Sequence, residues 1–419
     1  MVAAPRHYSR KMAAMNTKPK KRSPPHLLAR SAIILGMLWQ GAAMGAQPLL
    51  AAGLRHSIYV NEQGRLAIWG DNTLGQLGQE YESVQSSATS YNPMGLRRVR
   101  VLGSGWSHIL AATRPTYTRN PTLWAWAYGD VGQLGTGPIF PMGYFTNFQA
   151  RQIFPVFGDF SSNKFIMLQG GIAHSLALTG DGAVWSWGWN QAGQLGLGDV
   201  NNRWTAYRVK ALPDSIVAIA AGGDFSLALA QNGSLWSWGN NTAAQLGLGS
   251  RGESPVLLPQ RLPQSEVMDI RAIAAGTAFA MALDDKGTVY SWGANGSGQL
   301  GRLDPLAFSP DVVHGLPPIA SIAAGGEFAM AVDREGTLWA WGNNGRGQLA
   351  DGTTISRSTP KAVLGLPPVR LMAAGVEHAL VLGLNGVLLA WGDDSAEQLG
   401  ENLAGGLSTV PQVVTMPKP

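Results

Sequence analysis

The stretch that decides the fold runs from Gly170 to Gly196 and reads GGIAHSLALTGDGAVWSWGWNQAGQLG. Two short apolar runs, Ser175 to Thr179 and Ala183 to Trp187, flank a Gly-Asp-Gly sequence. That arrangement is typical of two antiparallel strands joined by a tight turn. A Gln-Leu-Gly sequence follows the second run and indicates another turn. The stretch therefore predicts a β-hairpin whose second strand ends in a tryptophan.

This pattern occurs seven times along the chain. In each copy a tryptophan precedes a Gln-Leu pair by seven residues, at Trp69/Gln76, Trp126/Gln133, Trp187/Gln194, Trp238/Gln245, Trp292/Gln299, Trp341/Gln348 and Trp391/Gln398. Upstream, a glycine precedes a histidine or phenylalanine by three, at Gly53/His56, Gly105/His108, Gly171/His174, Gly222/Phe225, Gly276/Phe279, Gly325/Phe328 and Gly375/His378. Seven units of about fifty residues indicate a repeat architecture filling residues 47–419.

Each unit contains enough strand-forming sequence for four strands. A third strand precedes the hairpin, as in Ile216 to Ala221, and a fourth follows it, as in Thr359 to Val363. Because these strands are apolar on both faces, the sheets must stack around an axis. We therefore expect an all-β fold, a seven-bladed β-propeller of four-stranded antiparallel blades. The segment Thr409 to Met416 has no repeat behind it, and we expect this C-terminal strand to pair with the first repeat and close the ring.

At this point the sequence resembles a known family. Ala-Ala-Gly-x-x-His-Ser followed by Trp-Gly-x-Asn-x-x-Gly-Gln-Leu-Gly is similar to the repeat of the regulator of chromosome condensation family, over residues 49–416. The third repeat matches best, with Gly171, His174, Ser175, Trp187, Gly188, Asn190, Gly193, Gln194, Leu195 and Gly196. Departures are local, at Ala127, Ala244, Ala350 and Glu397.

The resemblance implies an interaction platform. The founding eukaryotic member is an exchange factor for the small GTPase Ran that also docks on chromatin. A secreted bacterial propeller of similar repeats inhibits β-lactamases with one face of its ring. Fold alone does not decide between such functions.

Residues 1–46 have the composition of a leader. They contain eight Lys or Arg and no acidic residue, and the apolar run Ala32 to Ala46 follows the basic Lys18 to Arg22. This order is typical of a secretory signal peptide, and we expect cleavage between Ala43 and Pro48. Translation from Met15, rather than Met1 or Met12, would give a leader of ordinary length. The alternatives are an uncleaved N-terminal anchor or a nuclear-localisation arm.

Charge and composition limit the function classes. The formal net charge of +5 falls to −3 beyond residue 46, because 23 basic and 26 acidic residues remain there. A body of that charge lacks the basic field that nucleic acid requires, so no nucleic-acid partner is expected. The chain has no cysteine, which excludes disulfides, thiolate metal sites and cysteine nucleophiles.

The repeated polar residues favour structural roles. Four repeats carry His56, His108, His174 and His378 where the others carry phenylalanine, and a metal ligand cannot be exchanged for phenylalanine. The seven glutamines are expected to be buried and to hold the turn after the tryptophan strand through both the amide nitrogen and the amide oxygen. The pairs Trp124/Trp126, Trp185/Trp187, Trp236/Trp238 and Trp339/Trp341 either pack between blades or form a sugar-binding groove. We predict no catalytic residue, no metal site and no cofactor.

These observations predict an exported, monomeric, non-enzymatic protein-interaction scaffold, without membrane contact beyond the leader. A nucleotide exchange factor and a surface carbohydrate-binding or structural protein are the alternatives. The interval between Gln133 and Gly171 is 38 residues, against 26 to 31 elsewhere, and it is rich in aromatic residues. Such residues are enriched at recognition surfaces. We expect the partner to bind Phe140, Tyr144, Phe145 and Phe148, unless these rings pack on their own blade.

Overall fold

A computed structural model describes residues 47–78, 86–91, 96–113, 122–137, 146–153, 164–263, 268–400 and 406–415. The leader, its cleavage site and the enlarged turn at residues 114–121 lie outside these ranges and stay predictions. Within the described ranges the regular elements are 28 strands, β1 to β28, in seven four-stranded sheets. No helix in this part of the chain is long and apolar enough to cross a membrane.

The first four blades take their strands in chain order. Blade 1 is β1 (Leu49–Ala52), β2 (His56–Val60), β3 (Leu66–Asp71) and β4 (Ser86–Tyr91). Blade 2 is β5 (Val99–Ser104), β6 (His108–Thr113), β7 (Thr122–Tyr128) and β8 (Thr146–Gln152). Blade 3 is β9 (Phe165–Gly170), β10 (His174–Thr179), β11 (Val184–Gly188) and β12 (Arg203–Arg208). Blade 4 is β13 (Ile216–Ala221), β14 (Phe225–Ala230), β15 (Leu235–Gly239) and β16 (Val256–Arg261).

The last three blades repeat this order. Blade 5 is β17 (Ile270–Ala275), β18 (Phe279–Asp284), β19 (Val289–Ala294) and β20 (Leu306–Val312). Blade 6 is β21 (Ile319–Ala324), β22 (Phe328–Asp333), β23 (Leu338–Gly342) and β24 (Arg357–Ala362). Blade 7 is β25 (Val369–Ala374), β26 (His378–Gly383), β27 (Leu388–Asp393) and β28 (Leu407–Val413). The seven-bladed propeller of antiparallel blades predicted from the repeats is confirmed.

The predicted pairing of the C-terminal segment with the first repeat is wrong. Strand β28 pairs with β27 and is the outer strand of its own blade, with Leu389 opposite Val413. The first blade is already complete, because the four residues Leu49–Ala52 form its inner strand and pair with β2. Side-chain and loop contacts between blades 7 and 1 therefore close the ring.

The hydrophobic core lies between neighbouring blades rather than inside one sheet. One buried cluster joins Leu110 and Leu123 of blade 2 to Leu168 and Trp187 of blade 3. Equivalent clusters join blades 1 and 2, 3 and 4, 5 and 6, and 6 and 7. The junction of the last and first blades has the same character, with Trp69 packed among leucines of blade 7.

The local departures from the repeat keep the turn geometry. After the motif tryptophan six blades have a glycine with φ between 99° and 107°, and Ala127 of blade 2 has φ of 80°. Ala244, Ala350 and Glu397, which also replace glycines, have φ of 58°, 52° and 63°. These are left-handed conformations that cost a non-glycine residue free energy. The surrounding sheet therefore imposes the turn even where the sequence does not favour it.

Candidate interaction face

The repeated glutamine holds the turn after the third strand. Its Oε1 accepts a hydrogen bond from the backbone N–H two residues earlier, for example from Ala192 to Gln194 at 3.0 Å. The same contact is present in the other six blades, at Gln76, Gln133, Gln245, Gln299, Gln348 and Gln398. All seven glutamines are at most 3% exposed. The amide oxygen thus has the turn-holding role that the sequence predicted for it.

Burial decides what these glutamines can do. Gln76, Gln299 and Gln348, named above among the repeat residues, are only 2%, 3% and 1% exposed. Their Oε1 atoms accept from the backbone N–H groups of the turn at 2.9 Å, 2.9 Å and 2.7 Å, respectively. A side chain covered and bonded in this way cannot contact a partner. These three positions are therefore structural and belong to no interaction site.

The amide nitrogen differs between repeats, which corrects part of the expectation for the glutamines. Nε2 of Gln76 donates to Asp71 at 3.1 Å, and that of Gln398 donates to Asp393. Nε2 of Gln133 and of Gln194 is buried without an acceptor among the described residues. In blades 2 and 3 the oxygen therefore holds the turn without help from the nitrogen, because the second residue after the motif tryptophan is Tyr128 or Trp189 rather than an aspartate.

The glutamine backbone also joins each blade to the next. Its carbonyl oxygen accepts a hydrogen bond from the indole N–H of the next motif tryptophan, as from Trp187 to Gln133 at 2.9 Å. Gln76, Gln299 and Gln348 accept in the same way at 2.9 Å, 3.0 Å and 2.8 Å. The seven bonds form a closed cycle, because Trp69 of blade 1 donates to Gln398 of blade 7 at 3.0 Å. Both repeated residues are thus used within the ring and are not available to a ligand.

The repeated glycine is required by the ring three residues later. A Cβ atom built on Gly171 would lie 2.3 Å from His174 Cε1, and one on Gly222 would lie 2.0 Å from Phe225 Cε1. Both distances are shorter than any real contact. Histidine and phenylalanine therefore fill the same space against a bare backbone, as their exchange between repeats indicated.

Each histidine also contacts a serine of the following blade. The Nε2 to Oγ distances are 2.9 Å for His56 and Ser104, 2.8 Å for His108 and Ser175, 3.0 Å for His174 and Ser226, and 2.9 Å for His378 and Ser57. The Ser175 hydroxyl donates its proton to Gln133 O at 2.8 Å. The imidazole must then donate through Nε2–H, which leaves Nδ1 unprotonated. Among the described residues no donor reaches Nδ1 of any of these four rings.

Burial keeps the four imidazoles neutral. Desolvation is the largest cause in each case, and it lowers the pKa of His56 and His174 to about 3 and of His108 and His378 to about 4. Repulsion from a neighbouring imidazole lowers the pKa of His56 and His174 further. A catalytic base needs a pKa near the working pH, so these rings do not suit that role.

The serine partners were missed from the sequence, although a signal for them exists. Where a repeat carries phenylalanine, the serine position of the next repeat is alanine, as in the pairs Phe225/Ala280, Phe279/Ala329 and Phe328/Ala379. Comparison of each repeat with its successor reveals this coupling for His108, His174 and His378. His56 is the exception: Ile109 stands at the serine position of the second repeat, and His56 contacts Ser104 of β5 instead.

The tryptophan pairs do not form a sugar-binding groove. Trp185 and Trp187 belong to one cluster between blades 2 and 3, and Trp236 packs against the cluster that contains Trp238. Trp124 and Trp339 likewise pack against the clusters of Trp126 and Trp341. The packing alternative weighed for these residues is the one that the structure shows.

The inner strands surround an axial cavity of about 280 Å³. Its wall consists mainly of glycine, alanine and larger aliphatic residues, such as Ala220, Ile273 and Ala323. At one end a second cycle of hydrogen bonds closes around the axis through the loops between first and second strands. These backbone bonds run from Leu54, Trp106, Ile172, Gly223, Thr277, Gly326 and Val376, each to the loop of the next blade.

We call this end of the propeller the upper face. It carries the loops between first and second strands and the turns between third and fourth strands. Each blade presents three positions there: an inner and a middle residue in the first loop, and an outer residue after the third strand. A backbone hydrogen bond joins the outer to the middle position, for example from Trp189 N to Ala173 O at 2.9 Å. These positions vary between blades, whereas the tryptophan and the glutamine that form the inter-blade bonds are the same in all seven.

Blades 2 and 3 form an aromatic sector of the upper face. Their inner residues are Trp106 and Ile172, and their outer residues are Tyr128 and Trp189, all partly exposed. Trp106 and Trp189 are not part of the repeated tryptophan pattern. The middle residues Ser107 and Ala173 are uncharged.

Acidic residues lie at the middle position of blades 4, 6 and 7. Blade 4 presents Asp224, whose Oδ1 is buried without a hydrogen-bond donor among the described residues, and burial raises its pKa. Blade 6 presents Glu327, which accepts from Ser297 at 2.7 Å. Blade 7 presents Glu377, which lies 3.9 Å from the guanidinium of Arg346.

The predicted partner-binding residues are only partly described. Phe140, Tyr144 and Phe145 lie outside the described ranges, and of Phe148 only the backbone in β8 is described. The nearest described residues on either side of these three are Gly137 and Thr146, and both lie at the upper end of blade 2. Phe148 follows Asn147, which pairs with Ala127; Trp204 and Leu257 occupy the same strand position in blades 3 and 4. Phe165, at the end of the same insertion, is buried in β9.

The described residues contain no group of three or more histidine or acidic side chains placed to hold a metal ion. The upper face is instead a non-polar patch bordered by carboxylates. Such a surface can bind a partner, and its described residues include no nucleophile and base in contact.

Family models match most of this chain. The model of the RCC1-like domain matches residues 122–419, and the model of the regulator of chromosome condensation (RCC1) repeat matches residues 49–76. Ultraviolet-B receptor UVR8 of Arabidopsis thaliana is 28% identical over 61% of this chain and 55% of its own length. Probable E3 ubiquitin-protein ligase HERC6 of Homo sapiens is 34% identical over 61% of this chain and 24% of its own length. The chain thus spans about half the length of the first of these relatives and a quarter of the second.

Solved structures share the fold. Yeast RCC1 (Prp20), from its complex with Kap60, superposes with a TM-score of 0.77 at 20% identity, covering 97% of this chain and 91% of that one. Human WBSCR16 superposes with a TM-score of 0.72 at 22% identity, covering 84% of this chain and 95% of that one.

Proposed function

The chain belongs to the RCC1-like domain family, and from that premise we propose that it is a non-enzymatic protein-interaction scaffold that binds its partner through the upper face. One observation carries the proposal. The repeated polar and aromatic residues hold the blades together, whereas Trp106 and Trp189 interrupt the repeat and are partly exposed. Large aromatic side chains bury much surface with few torsions to freeze, and they dominate binding at protein interfaces.

The chemistry of the face supports binding rather than catalysis. The four histidines are fully buried and neutral, and their Nε2 atoms are used on serines. The carboxylates of the face, Asp224, Glu327 and Glu377, lie on different blades and do not form a pair. The names of the relatives describe a receptor and a ubiquitin ligase, and the chain covers only part of each, so we transfer neither activity.

We further propose that the scaffold acts outside the cytoplasm after loss of its leader. The support is the order of basic residues, apolar run and small residues in residues 1–46. N-terminal sequencing of the protein purified from its own cells tests this: a mature terminus between residues 44 and 48 supports export. An N-terminus that still contains Lys18 to Arg22 contradicts it.

Replacing Trp106 and Trp189 by alanine tests the binding function. Trp106 joins the axial hydrogen-bond cycle only through its backbone, so the ring should keep its melting temperature. The mature ring is cross-linked in its own envelope fraction, the captured protein is identified by mass spectrometry, and its affinity is then measured in purified form. We expect at least tenfold weaker binding by the double variant, since aromatic anchors typically contribute that much or more.

Leu384→Ala is the control, because Leu384 is 67% exposed in the hairpin between β26 and β27, at the end of the ring opposite the upper face. If the tryptophan double variant binds the partner as tightly as the unchanged protein does, the binding site does not lie on this face. Replacing Phe140, Tyr144, Phe145 and Phe148 by serine, with the same readout, tests whether the adjoining insertion belongs to the site.

A further inference from the structure

We propose that the partner of the upper face is a protein segment with an apolar anchor residue flanked by lysine or arginine. This inference rests on the proposed function and adds the chemistry of what is bound. It follows from where charged side chains lie around the aromatic sector.

The aromatic sector is the surface that contacts the apolar anchor residue of the partner. Trp106 and Ile172 are neighbours on the inner circle, because Trp106 N donates to Gly171 O at 3.1 Å. Trp189 lies outward of Ile172 through its bond to Ala173. Blades 2 and 3 thus expose apolar side chains over two adjoining positions with no charge at their middle positions. An aliphatic or aromatic side chain would remove this surface from water.

Asp224 supplies the first contact for a cation. Ile172 N donates to Gly223 O at 3.1 Å, so the next residue, Asp224, borders the aromatic sector directly. Neither an ion pair nor a hydrogen bond to its Oδ1 is found among the described residues, and desolvation raises the pKa of this carboxyl. A lysine or arginine placed beside it would compensate the cost of keeping a carboxylate half-buried.

Further carboxylates extend the same preference around the axis. Glu327 is exposed, and its donors among the described residues are neutral groups, the Ser297 hydroxyl and the Asn343 amide. Glu377 has Arg346 nearby, but at 3.9 Å and with half of the arginine side chain exposed. Arg55 is the single base among the middle positions of the seven blades. In the described turns between third and fourth strands, the bases Arg251, Arg302 and Arg346 are outnumbered by acids, which are Asp130, Asp199, Glu253, Asp304, Asp351, Asp394 and Glu397. The field over the face therefore attracts a basic segment and repels an acidic one.

The opposite end of the ring gives no such preference. There the hairpins and links carry bases such as Arg97, Lys210, Arg334 and Arg370 beside acids such as Glu62 and Asp285. The contrast assigns the basic partner segment to the upper face.

Fluorescent decapeptides are the probe, with a central leucine, phenylalanine or tryptophan and flanks of lysine, glutamine or glutamate. Fluorescence polarisation is measured on the mature ring at about 50 and about 300 mM NaCl. We expect lysine-flanked peptides to bind at least tenfold more tightly than glutamate-flanked ones, with the difference falling at high salt. Asp224→Asn and Glu327→Gln should each weaken the lysine-flanked peptides about threefold to fivefold, as exposed or half-exposed ion pairs do, and leave glutamine-flanked peptides unchanged.

Glu335→Gln, in an exposed hairpin of the opposite end, is the matched control and should change nothing. Equal binding of lysine- and glutamate-flanked peptides overturns the inference. So does sedimentation of the ring as a dimer that the Trp106→Ala change dissociates, because a second copy would then occupy the face. If the tryptophan double variant loses its captured partner while Asp224→Asn and Glu327→Gln do not, this inference fails and the proposed function stands. If the tryptophan variant keeps its partner, the proposed function itself fails.

Discussion

At the scale of single residues, the four inter-blade histidines link stability to pH. In the folded ring each imidazole is neutral because it is fully buried, with a lowered pKa of about 3 to 4. In the unfolded chain the same groups bind a proton near pH 6.5. The unfolded state therefore holds more protons between these values, and stability must fall as the pH decreases through this window.

Replacing His174 by Phe together with Ser226 by Ala should flatten this dependence. The double change recreates the phenylalanine–alanine pair that the chain already uses at Phe328 and Ala379. Gln194 O keeps its bond from Trp238, so the change strands no acceptor. We expect the slope of unfolding free energy against pH between about pH 6.5 and 4 to decrease by about 1.4 kcal/mol per pH unit, the value for one proton. Urea unfolding at several pH values measures it, and an unchanged slope would show that His174 is not neutral in the fold.

Ala127 of blade 2 has a strained backbone conformation. Its φ of 80° occupies a position where the other blades have glycine. Ala127→Gly should stabilise the protein by about 1 kcal/mol, since relief of a left-handed alanine exceeds the entropy that glycine loses on folding. Ala125→Gly, two residues earlier in the same strand and equally buried, should destabilise by a similar amount. A lower melting temperature for both variants would mean that Ala127 is not strained.

At the scale of elements, the blades differ in how many donors bind the glutamine carbonyl oxygen that accepts the bond from the next tryptophan. Gln194 O accepts from both Trp238 and Ser226, whereas Gln245 O accepts from Trp292, with alanine at the serine position. The two tryptophans are equally buried. Comparing the two tryptophans therefore measures how much stability is lost when one buried carbonyl oxygen loses its hydrogen-bond donor.

Trp292→Phe should cost more than Trp238→Phe by about 1 kcal/mol. Both changes leave the same cavity, but only the first leaves a buried carbonyl oxygen without a donor. Denaturant unfolding of the two variants under one condition gives the difference directly. Equal losses would assign the effect of either tryptophan to packing alone.

At the scale of the whole molecule, β28 contributes to two blades at once. It pairs with β27 of blade 7, and Val414, directly after it, packs in the cluster that contains Trp69 of blade 1. Truncation after Gly406 should therefore weaken both blades and lower the melting temperature of the entire ring. Hydrogen exchange should show lost protection in β2 and β3 as well as in β26 and β27. Loss confined to blade 7 would contradict this, and truncation after Met416 is the control.

Features that recur in every repeat could be predicted from the sequence, and features of single repeats could not. The repeat count, the strand order and the buried glutamine turn follow from a period that seven copies repeat. The pairing of β28 was predicted wrongly, because the four residues of β1 are too short a run to indicate a strand from the sequence. The serine partners of the histidines lie one repeat away, so alignment of repeats in parallel hid them. Trp106 and Asp224 depart from the repeat individually, and only the fold brings them onto neighbouring loops.

The axial cycle of seven backbone hydrogen bonds has a consequence for how such a protein can change in evolution. An open array of repeats grows or shrinks by one unit at its end, and each unit keeps its old neighbours. Here the bond from Val376 N returns to Gly53 O, so no unit is terminal. Adding or losing one copy would change the angle between every adjacent pair of blades simultaneously. Copy number is therefore fixed by geometry, and new function must arise by changing the residues on the loops.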